Sequence, residues 1–305
     1  MDVVHLMLAA APALVNAVGP HPFWGGRPQA LHVAIESRRR DMFDLLVERG
    51  ADVSGSNDEY GGWSPLMLAI HRDQIDMRDE LLRRGARVGL VEALLLEDDA
   101  RVGALVGTGD ASGPGPNGGS LLAFARTPFA IDRLLECGAP LDAKDQWGAT
   151  PMEALSRIGA RGRALVDHLA RRGTTPTPDT YARLGDEEKL ARLAAADPSV
   201  LQRDDVMMAA VDAGHHALVA WLVAQGGHVN ARSSAASHHS ALHAAAWNGD
   251  LPMVELLVRA GADPTIRDDQ YHATPSGWAA TAIEVTNNPT CAAIVDYLDG
   301  LGLRS

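Results

Sequence analysis

The residue types best able to do chemistry gather late in the chain, where three histidines precede a pair of acids. His238, His239 and His243 form a His-His-x3-His sequence, and Asp268 and Asp269 follow further along. Three imidazoles and a carboxylate are a ligand set that zinc accepts. Adjacent histidines in a tight loop need not point the same way, however. We therefore predict no metal site and no cofactor.

Paired acids could serve as general acids and bases. They occur as Asp98-Asp99, Asp204-Asp205 and Asp268-Asp269, and two of the pairs stand beside an arginine, Arg101 or Arg203. This setting favours solvated helix ends or helix caps. The sequence also lacks G-x-S-x-G, G-x-x-x-x-G-K-[ST], H-E-x-x-H and C-x-x-C. We predict no catalytic residues from motifs, although an enzyme built in a groove would carry no such signature.

Composition and charge narrow the classes of partner. The chain has 305 residues, 46% of them apolar and only 5% aromatic, and a formal net charge of −12. A general nucleic-acid binder needs clustered Lys and Arg, and an anionic membrane surface attracts basic segments. We therefore expect neither partner, and no stretch is long and apolar enough to span a bilayer.

The two cysteines, Cys137 and Cys291, lie in helical patterns. We predict small buried residues with free thiols in a reducing, cytoplasmic compartment, and no disulfide. The apolar N-terminus contains Ala-x-Ala, as a signal peptide does, but it lacks a basic region and its first charge is Asp2. An N-terminal repeat is the favoured interpretation, with a signal peptide as the alternative.

Glycines punctuate the chain at a fixed interval. Candidate helix stops fall at Gly50, Gly85, Gly138, Gly173, Gly226 and Gly261, so that each is followed by another 88 residues later as far as the chain allows. The sequence between these glycines repeats with the same 88-residue offset. Residues 95–105 align with 183–193, and residues 120–139 align with 208–227, without a gap. Each 88-residue block has room for three helix pairs, one of them degenerate.

The stretch from Ser240 to Asp263 shows the repeated unit most clearly. It predicts a helix over 241–247, a turn at Asn248-Gly249-Asp250, a second helix over 251–259 and a stop at Gly261. Related Gly-Ala-Asp and Thr-Pro-Leu-His elements recur along the chain, as at 50–52, 64–66, 150–152 and 274–276. The chain resembles the ankyrin repeat family, in a bacterial type suggested by the segment 265–280 and by the excess of Arg over Lys.

This resemblance implies an all-α ankyrin-repeat solenoid of about ten helix pairs with short hairpin fingers. The pairs would form three 88-residue super-repeats and a C-terminal capping unit in one domain, 1–305. The expected units are 1–27, 28–59, 60–90, 91–116, 117–145, 146–178, 179–204, 205–236, 237–270 and 271–305. Because apolar faces of the pairs stack, Leu256 and Leu257 should be buried. His32 and His243 should hold neighbouring fingers by hydrogen bonds to backbone.

The resemblance also implies a binding surface made of finger tips and the exposed ends of first helices. Carried onto this sequence, it gives Tyr60, Trp63, His71, Arg72, Trp147, Arg157, His239, Trp247, Asn248 and Tyr271, with weaker candidates at Glu36, Phe124 and Asp212. We expect the finger rings to be exposed, since Tyr and Trp are enriched at interface hot spots. The alternative is that each ring packs on the neighbouring finger.

Three irregular loops follow the degenerate units, at 19–26, 110–119 and 197–199. The middle one is rich in Gly and Pro and should be exposed and mobile, as a spacer or as a lid over a groove.

We predict a protein-protein interaction module, a monomer or weak oligomer with a basic or mixed-charge protein partner. The alternative is an ankyrin-fold enzyme that acts on a small molecule in a groove, within a bacterial biosynthetic or tailoring pathway.

Overall fold

The protein is built from helices and the turns that join them. A computed structural model describes residues 2–21, 26–56, 59–107 and 113–301, and within these ranges there are no β-strands, only isolated bridges such as Arg232 with Ser240. The chain divides into two compact units, Met1–Pro151 and Met152–Ser305. Each unit is all-α, as the sequence predicted.

The first unit contains antiparallel helix pairs and three short 3-10 helices. Its helices are α1 (Asp2–Ala10), η1 (Pro12–Asn16), α2 (Ala30–Glu36), α3 (Arg40–Glu48), α4 (Pro65–His71), α5 (Ile75–Arg83), α6 (Leu90–Leu95), α7 (Asp99–Val106), η2 (Pro116–Gly118), η3 (Leu121–Phe124) and α8 (Pro128–Glu136).

The second unit repeats this plan, with α9 beginning at the division between the units. Its helices are α9 (Pro151–Ser156), α10 (Ala160–Arg171), α11 (Pro178–Arg183), α12 (Glu187–Ala196), η4 (Pro198–Gln202), α13 (Asp204–Asp212), α14 (His216–Ala224), α15 (Ala241–Asn248), α16 (Leu251–Arg259), α17 (Pro275–Thr286) and α18 (Cys291–Gly300). None of the helices within the described ranges has the length and apolar character needed to cross a membrane.

Local signals in the sequence set the ends of the helices. Ser64 caps α4 and Thr274 caps α17, each by accepting a hydrogen bond from a backbone N–H of the first turn. The six predicted glycine stops all have positive φ, between +83° and +112°. A side chain at this left-handed conformation is strained, so glycine ends the second helix of the pair. The predicted stops are confirmed.

The core lies between successive helix pairs. In α16, Met253, Val254 and Leu257 are fully buried against the neighbouring pairs, so the prediction for Leu257 is confirmed. Leu256 is only half-buried. One residue is about 100° of rotation on a helix, which turns Leu256 toward the flank of the buried face. The prediction that both leucines are buried is thus wrong for Leu256.

Two histidines join successive repeats, as predicted. His32 Nε2 lies 3.1 Å from the carbonyl oxygen of Trp63. His243 Nδ1 accepts the backbone N–H of Ser240, so its Nε2 donates to the carbonyl oxygen of Ala273 at 3.0 Å. Each ring therefore fixes the start of the following helix pair.

The middle Gly-Pro loop differs from expectation. Residues 108–112 and 22–25 lie outside the described residues, but residues 113–119 are mostly half-buried. The N–H of Asn117 donates to Gly61 O at 3.3 Å, and its carbonyl accepts the N–H of Gln146 at 2.9 Å. This part of the loop takes the place of a finger between two others, so the prediction of an exposed loop is wrong for it.

Both cysteines are free thiols, and Cys291 is buried whereas Cys137 is half-buried. At the N-terminus, Leu8 and Val15 are buried in the same core as α2 and α3. This packing agrees with the interpretation of the apolar N-terminal segment as a repeat.

Candidate functional site

We call the first helix of each pair the inner helix. The second unit has a cluster of aromatic rings where a finger meets the inner helices α15 and α17. The Trp278 ring centroid lies 4.8 Å from that of His239 and 5.8 Å from that of Trp247. His243 contacts the same tryptophan edge-on at 5.3 Å. His239, Trp247 and Trp278 are each half-buried, so one side of the cluster is open to solvent. The sequence placed His239 and Trp247 in the site, and the structure brings them together through Trp278.

A buried carboxylate organises this cluster. Asp268 is 1% exposed and accepts hydrogen bonds from the backbone N–H groups of Gln270 (3.0 Å), Tyr271 (2.7 Å) and Ala273 (3.0 Å). It also accepts the indole N–H of Trp278 at 3.0 Å. Burial opposes ionisation, but these four donors outweigh it and lower the pKa of Asp268. One side chain thus fixes both a finger and a ring of the surface.

The histidines of this region are held in separate contacts. His238 Nδ1 lies 2.8 Å from Asp269, His239 Nδ1 lies 2.8 Å from Ser237 Oγ, and His243 is bonded to backbone as described above. Burial lowers the pKa of His239 and of His243 to about 4, so both rings are neutral at pH 7. Across the described ranges no group of three or more His, Cys, Asp or Glu is placed to hold a metal ion.

Charged side chains continue this surface along the inner helices of the second unit. Arg183, at the end of α11, lies 3.7 Å from Asp212, at the end of α13. Burial, with a smaller contribution from the charge of Arg157, lowers the pKa of Arg183, while burial raises that of Asp212. Arg157 itself is exposed, as is Asn248 at the end of α15. Both of these predicted residues are therefore accessible to solvent.

In the first unit a glutamate, Glu36, whose side chain is 7% exposed, contacts three other side chains. Glu36 Oε1 accepts the hydroxyl of Tyr60 at 3.0 Å and lies 3.7 Å from a guanidinium nitrogen of Arg72. Its Oε2 lies 3.0 Å from His21 Nε2, and the His21 and Tyr60 rings stack with centroids 5.8 Å apart. Tyr60 is therefore half-buried in this network, and the expectation of an exposed ring is wrong for it.

Trp63 is also covered by its neighbours. Its ring lies 5.2 Å from His71 and 5.9 Å from Phe124, centroid to centroid, and it packs on the core of the first unit. The finger folds back over the ends of the inner helices, which buries half of the ring. His71 remains exposed on the other side of the contact. Exposure was predicted for Trp63, and the structure corrects this.

Two finger rings are exposed as predicted. Trp147 is 71% exposed and Tyr271 is 50% exposed. Their loops are nevertheless fixed by aspartates: Asp145 Oδ1 accepts the N–H of Trp147 at 2.9 Å, as Asp268 accepts that of Tyr271. The Trp147 loop is also bonded through Gln146 to Asn117. Among the residues that the structure describes, each unit thus presents one exposed aromatic side chain on a turn held by hydrogen bonds.

The sequence-based prediction missed Trp278 and the role of Asp268. A signal for both was present in the segment 265–280, where an aspartate precedes Ala-Thr-Pro-x-Gly-Trp. The spacing of ten residues brings the indole N–H back to the carboxylate after one turn of finger and the start of α17. The paired acids were predicted to be solvated helix ends or helix caps. Asp98 is such a cap, since it accepts the N–H of Arg101 at the start of α7.

Comparison with known proteins identifies the class. A family model described as ankyrin repeats (3 copies) matches residues 2–92 and 180–268, which is more than half of the chain. The chain belongs to the ankyrin repeat family. The two matched segments end two 88-residue intervals apart, in agreement with the spacing of the glycine stops.

Individual relatives are more distant. The B-cell lymphoma 3 protein homolog of Mus musculus is 30% identical over 155 residues, which are 49% of this chain and 29% of that protein. The chain therefore matches less than a third of the length of this relative. Among solved structures, the human ASB11 ankyrin repeat domain is 19% identical with a TM-score of 0.33, over 74% of this chain and 99% of that chain.

Proposed function

We propose that the chain binds a partner protein through its finger tips and the exposed ends of its inner helices. Ankyrin repeats are generally protein-protein interaction modules, and this chain is a member of the family. The observation that carries the proposal is the exposure of Trp147 and Tyr271 on turns that hydrogen bonds already hold in place.

Exposed aromatic rings on ordered loops are suited to binding. A tryptophan that is 71% exposed gains little from folding, but it can bury most of its surface against a partner. Because the turn is already ordered, binding costs little backbone entropy at this site. Trp and Tyr are also the side chains most enriched at interface hot spots.

The remaining predicted residues extend the proposed surface within each unit. In the first unit these are His71 and Arg72, beside Trp63 and Tyr60. In the second unit they are Arg157, Asn248, Trp247 and His239, to which we add Trp278. The half-buried rings supply a rigid apolar floor, while exposed Arg157 and Asn248 supply polar contacts at its edge.

The charge of the chain indicates the chemistry of the partner. With a formal net charge of −12, a basic or mixed-charge protein is attracted and a nucleic acid is repelled. We expect association to be faster at low salt for this reason. The free thiols of both cysteines support a reducing, cytoplasmic setting for the complex. The alternative hypothesis of an enzyme gains no support from the family match or from the relative.

The proposal is tested by affinity capture with matched variants. Wild type, Trp147→Ala and Tyr271→Ala are used as baits, and Phe129→Ala serves as control, because Phe129 is also exposed but lies on α8, outside the proposed surface. We expect a partner that wild type and the control retain and that at least one tip variant loses. Equal capture by all four baits would contradict the proposal.

A further inference from the structure

The N-terminal end of the first unit exposes an apolar surface made of residues other than those of the surface proposed above. Nine large apolar side chains of the described residues are conspicuously exposed, and four of them lie within the first fourteen positions. They are Val3, Leu6, Met7 and Leu14, which we call the N-terminal face. Val3, Leu6 and Met7 are spaced i, i+3 and i+4, so they share one side of α1.

The internal repeat shows what this face normally does. The 88-residue interval aligns Leu6 with Leu94 and Ala182, and Leu14 with Val102 and Leu190. These four later positions are at most 1% exposed, whereas Leu6 is 70% and Leu14 is 43% exposed. The same positions are therefore buried in two copies of the unit and open in the first.

A preceding helix pair covers each of the later copies. In the second copy, α4 packs against α6, which carries Leu94. In the third copy, α10 lies against the pair formed by α11 and α12, since Arg163 donates to the carbonyl oxygen of Leu184 at 2.8 Å and Lys189 lies 3.5 Å from Asp167. The N-terminal face is thus a stacking face whose described surroundings leave it uncovered.

Charge selects the occupant of this face. No Asp, Glu, Lys or Arg occurs between positions 3 and 26, although the chain as a whole carries −12. Asp2 is the one residue of α1 and η1 with a formal side-chain charge, so two copies of the protein can bring the apolar side chains of this face together with few formal charges in the contact. The exposed side of α18 carries Asp296 and Asp299 instead, and packing it on an apolar face would desolvate a carboxylate.

From these observations we infer that the N-terminal face pairs with the same face of a second copy of this chain, forming a two-fold symmetric dimer. In such an arrangement each α1 and η1 stands where a preceding helix pair stands in the internal copies. The contact is self-complementary, so it closes and does not propagate into a polymer.

Sedimentation velocity of the 305-residue chain over a range of concentrations tests this inference. We expect wild type to sediment as a dimer. Leu6→Glu places a carboxylate in the contact and should raise the dimer dissociation constant at least about 30-fold, as loss of a hot spot does. Leu14→Glu should act in the same direction. Because both side chains are exposed, circular dichroism should show the helical content of wild type.

Two control variants separate the dimer from other causes. Ile75→Glu makes the same change at an exposed apolar residue of α5, and Leu301→Glu makes it at the C-terminal end. Both should remain dimeric. A wild-type chain that is monomeric at every concentration, or an equal effect of Ile75→Glu, would overturn the inference. Dissociation by Leu301→Glu would indicate head-to-tail stacking, which also contradicts it.

A flotation assay with neutral phosphatidylcholine vesicles tests whether the N-terminal face binds a lipid surface instead. We expect no flotation of wild type. If wild type floats with the vesicles and Leu6→Glu does not, the face binds lipid and the dimer is wrong.

Discussion

Trp63 and Trp147 stand on finger loops of similar composition but have different surroundings. Trp63 lies between His71 and Phe124, while Trp147 is 71% exposed. We therefore expect Trp63 to contribute to the stability of the fold and Trp147 to contribute to partner binding. An aromatic ring in contact with other rings contributes to the fold, and an exposed ring does not.

We predict that Trp63→Ala lowers the free energy of unfolding by about 2 kcal/mol, because half of a large ring is removed from its contacts. Trp147→Ala should change it by no more than about 0.5 kcal/mol. Urea denaturation followed by circular dichroism measures both. Equal losses would show that the exposed ring packs on a neighbouring finger.

His243 makes stability depend on pH. Burial lowers its pKa to about 4, below the value of about 6.5 for an unfolded histidine. Between these values the unfolded chain binds more protons, so stability is full above about pH 6.5 and falls as the pH drops toward 4. We predict that the difference in stability between wild type and His243→Gln narrows over this range, because only wild type carries this penalty. Urea denaturation at several pH values checks this, and a constant difference would contradict it.

At the scale of elements, the register of α16 is the most direct test of how repeats stack. Leu257 is fully buried and Leu256 is half-buried. We predict that Leu257→Ala costs about 2–5 kcal/mol, as truncations in a core do. Leu256→Ala should cost less than half as much. Thermal and urea unfolding compare the two variants, and a larger effect at Leu256 would mean that the helix is rotated from the position described.

The last finger depends on a single carboxylate. Asp268→Ala leaves three backbone N–H groups and the indole N–H of Trp278 without their acceptor, and we predict a loss of at least about 2 kcal/mol. Near-ultraviolet circular dichroism of the tryptophans should change as Trp278 is released. Asp269→Ala is the matched control, since Asp269 is exposed and should leave the near-ultraviolet signal intact. An unchanged signal in both variants would contradict the role of Asp268.

Much of this element structure could be predicted from sequence because it depends on local chemistry. Glycine at a left-handed position, Ser or Thr at a helix start, and a buried His at the fourth position of the repeat each act within a few residues or on the adjacent repeat. The exposure of finger rings was predicted less well. Tyr60 is half-buried because Glu36, from the preceding repeat, accepts its hydroxyl. That pairing depends on side-chain positions in two repeats and leaves no motif in either.

In the candidate site, too, features that depend on local sequence were predicted and those that depend on contacts between distant residues were not. His239 and Trp247 were predicted to belong to the site, but the residue that joins them, Trp278, was not. Its place is set by the hydrogen bond to Asp268, which depends on the course of a whole finger. The Gly-Pro segment 113–119 was predicted to be an exposed loop from its composition. Composition does not reveal the hydrogen bonds that its backbone makes to Gly61 and Gln146.

At the scale of the whole molecule, an 88-residue interval repeats helix pairs while varying what they expose. The interval conserves stacking positions such as Leu94 and Ala182, both buried, but gives each copy different side chains at its surface. This is how an array of similar repeats obtains a specific binding surface.

The net charge of −12 adds a long-range attraction for basic partners. We therefore predict that the association rate rises at low salt, as measured by stopped flow with a captured partner. An association rate that is independent of salt would contradict a basic partner.

The central claim is that exposed tip aromatics carry partner binding, and affinity of a captured partner for the single-site variants tests it most directly. Isothermal titration calorimetry should show that Trp147→Ala or Tyr271→Ala weakens binding by about 2 kcal/mol or more, as at a hot spot, while Phe129→Ala binds as wild type does. Wild-type affinity in both tip variants, at unchanged stability, would contradict the account.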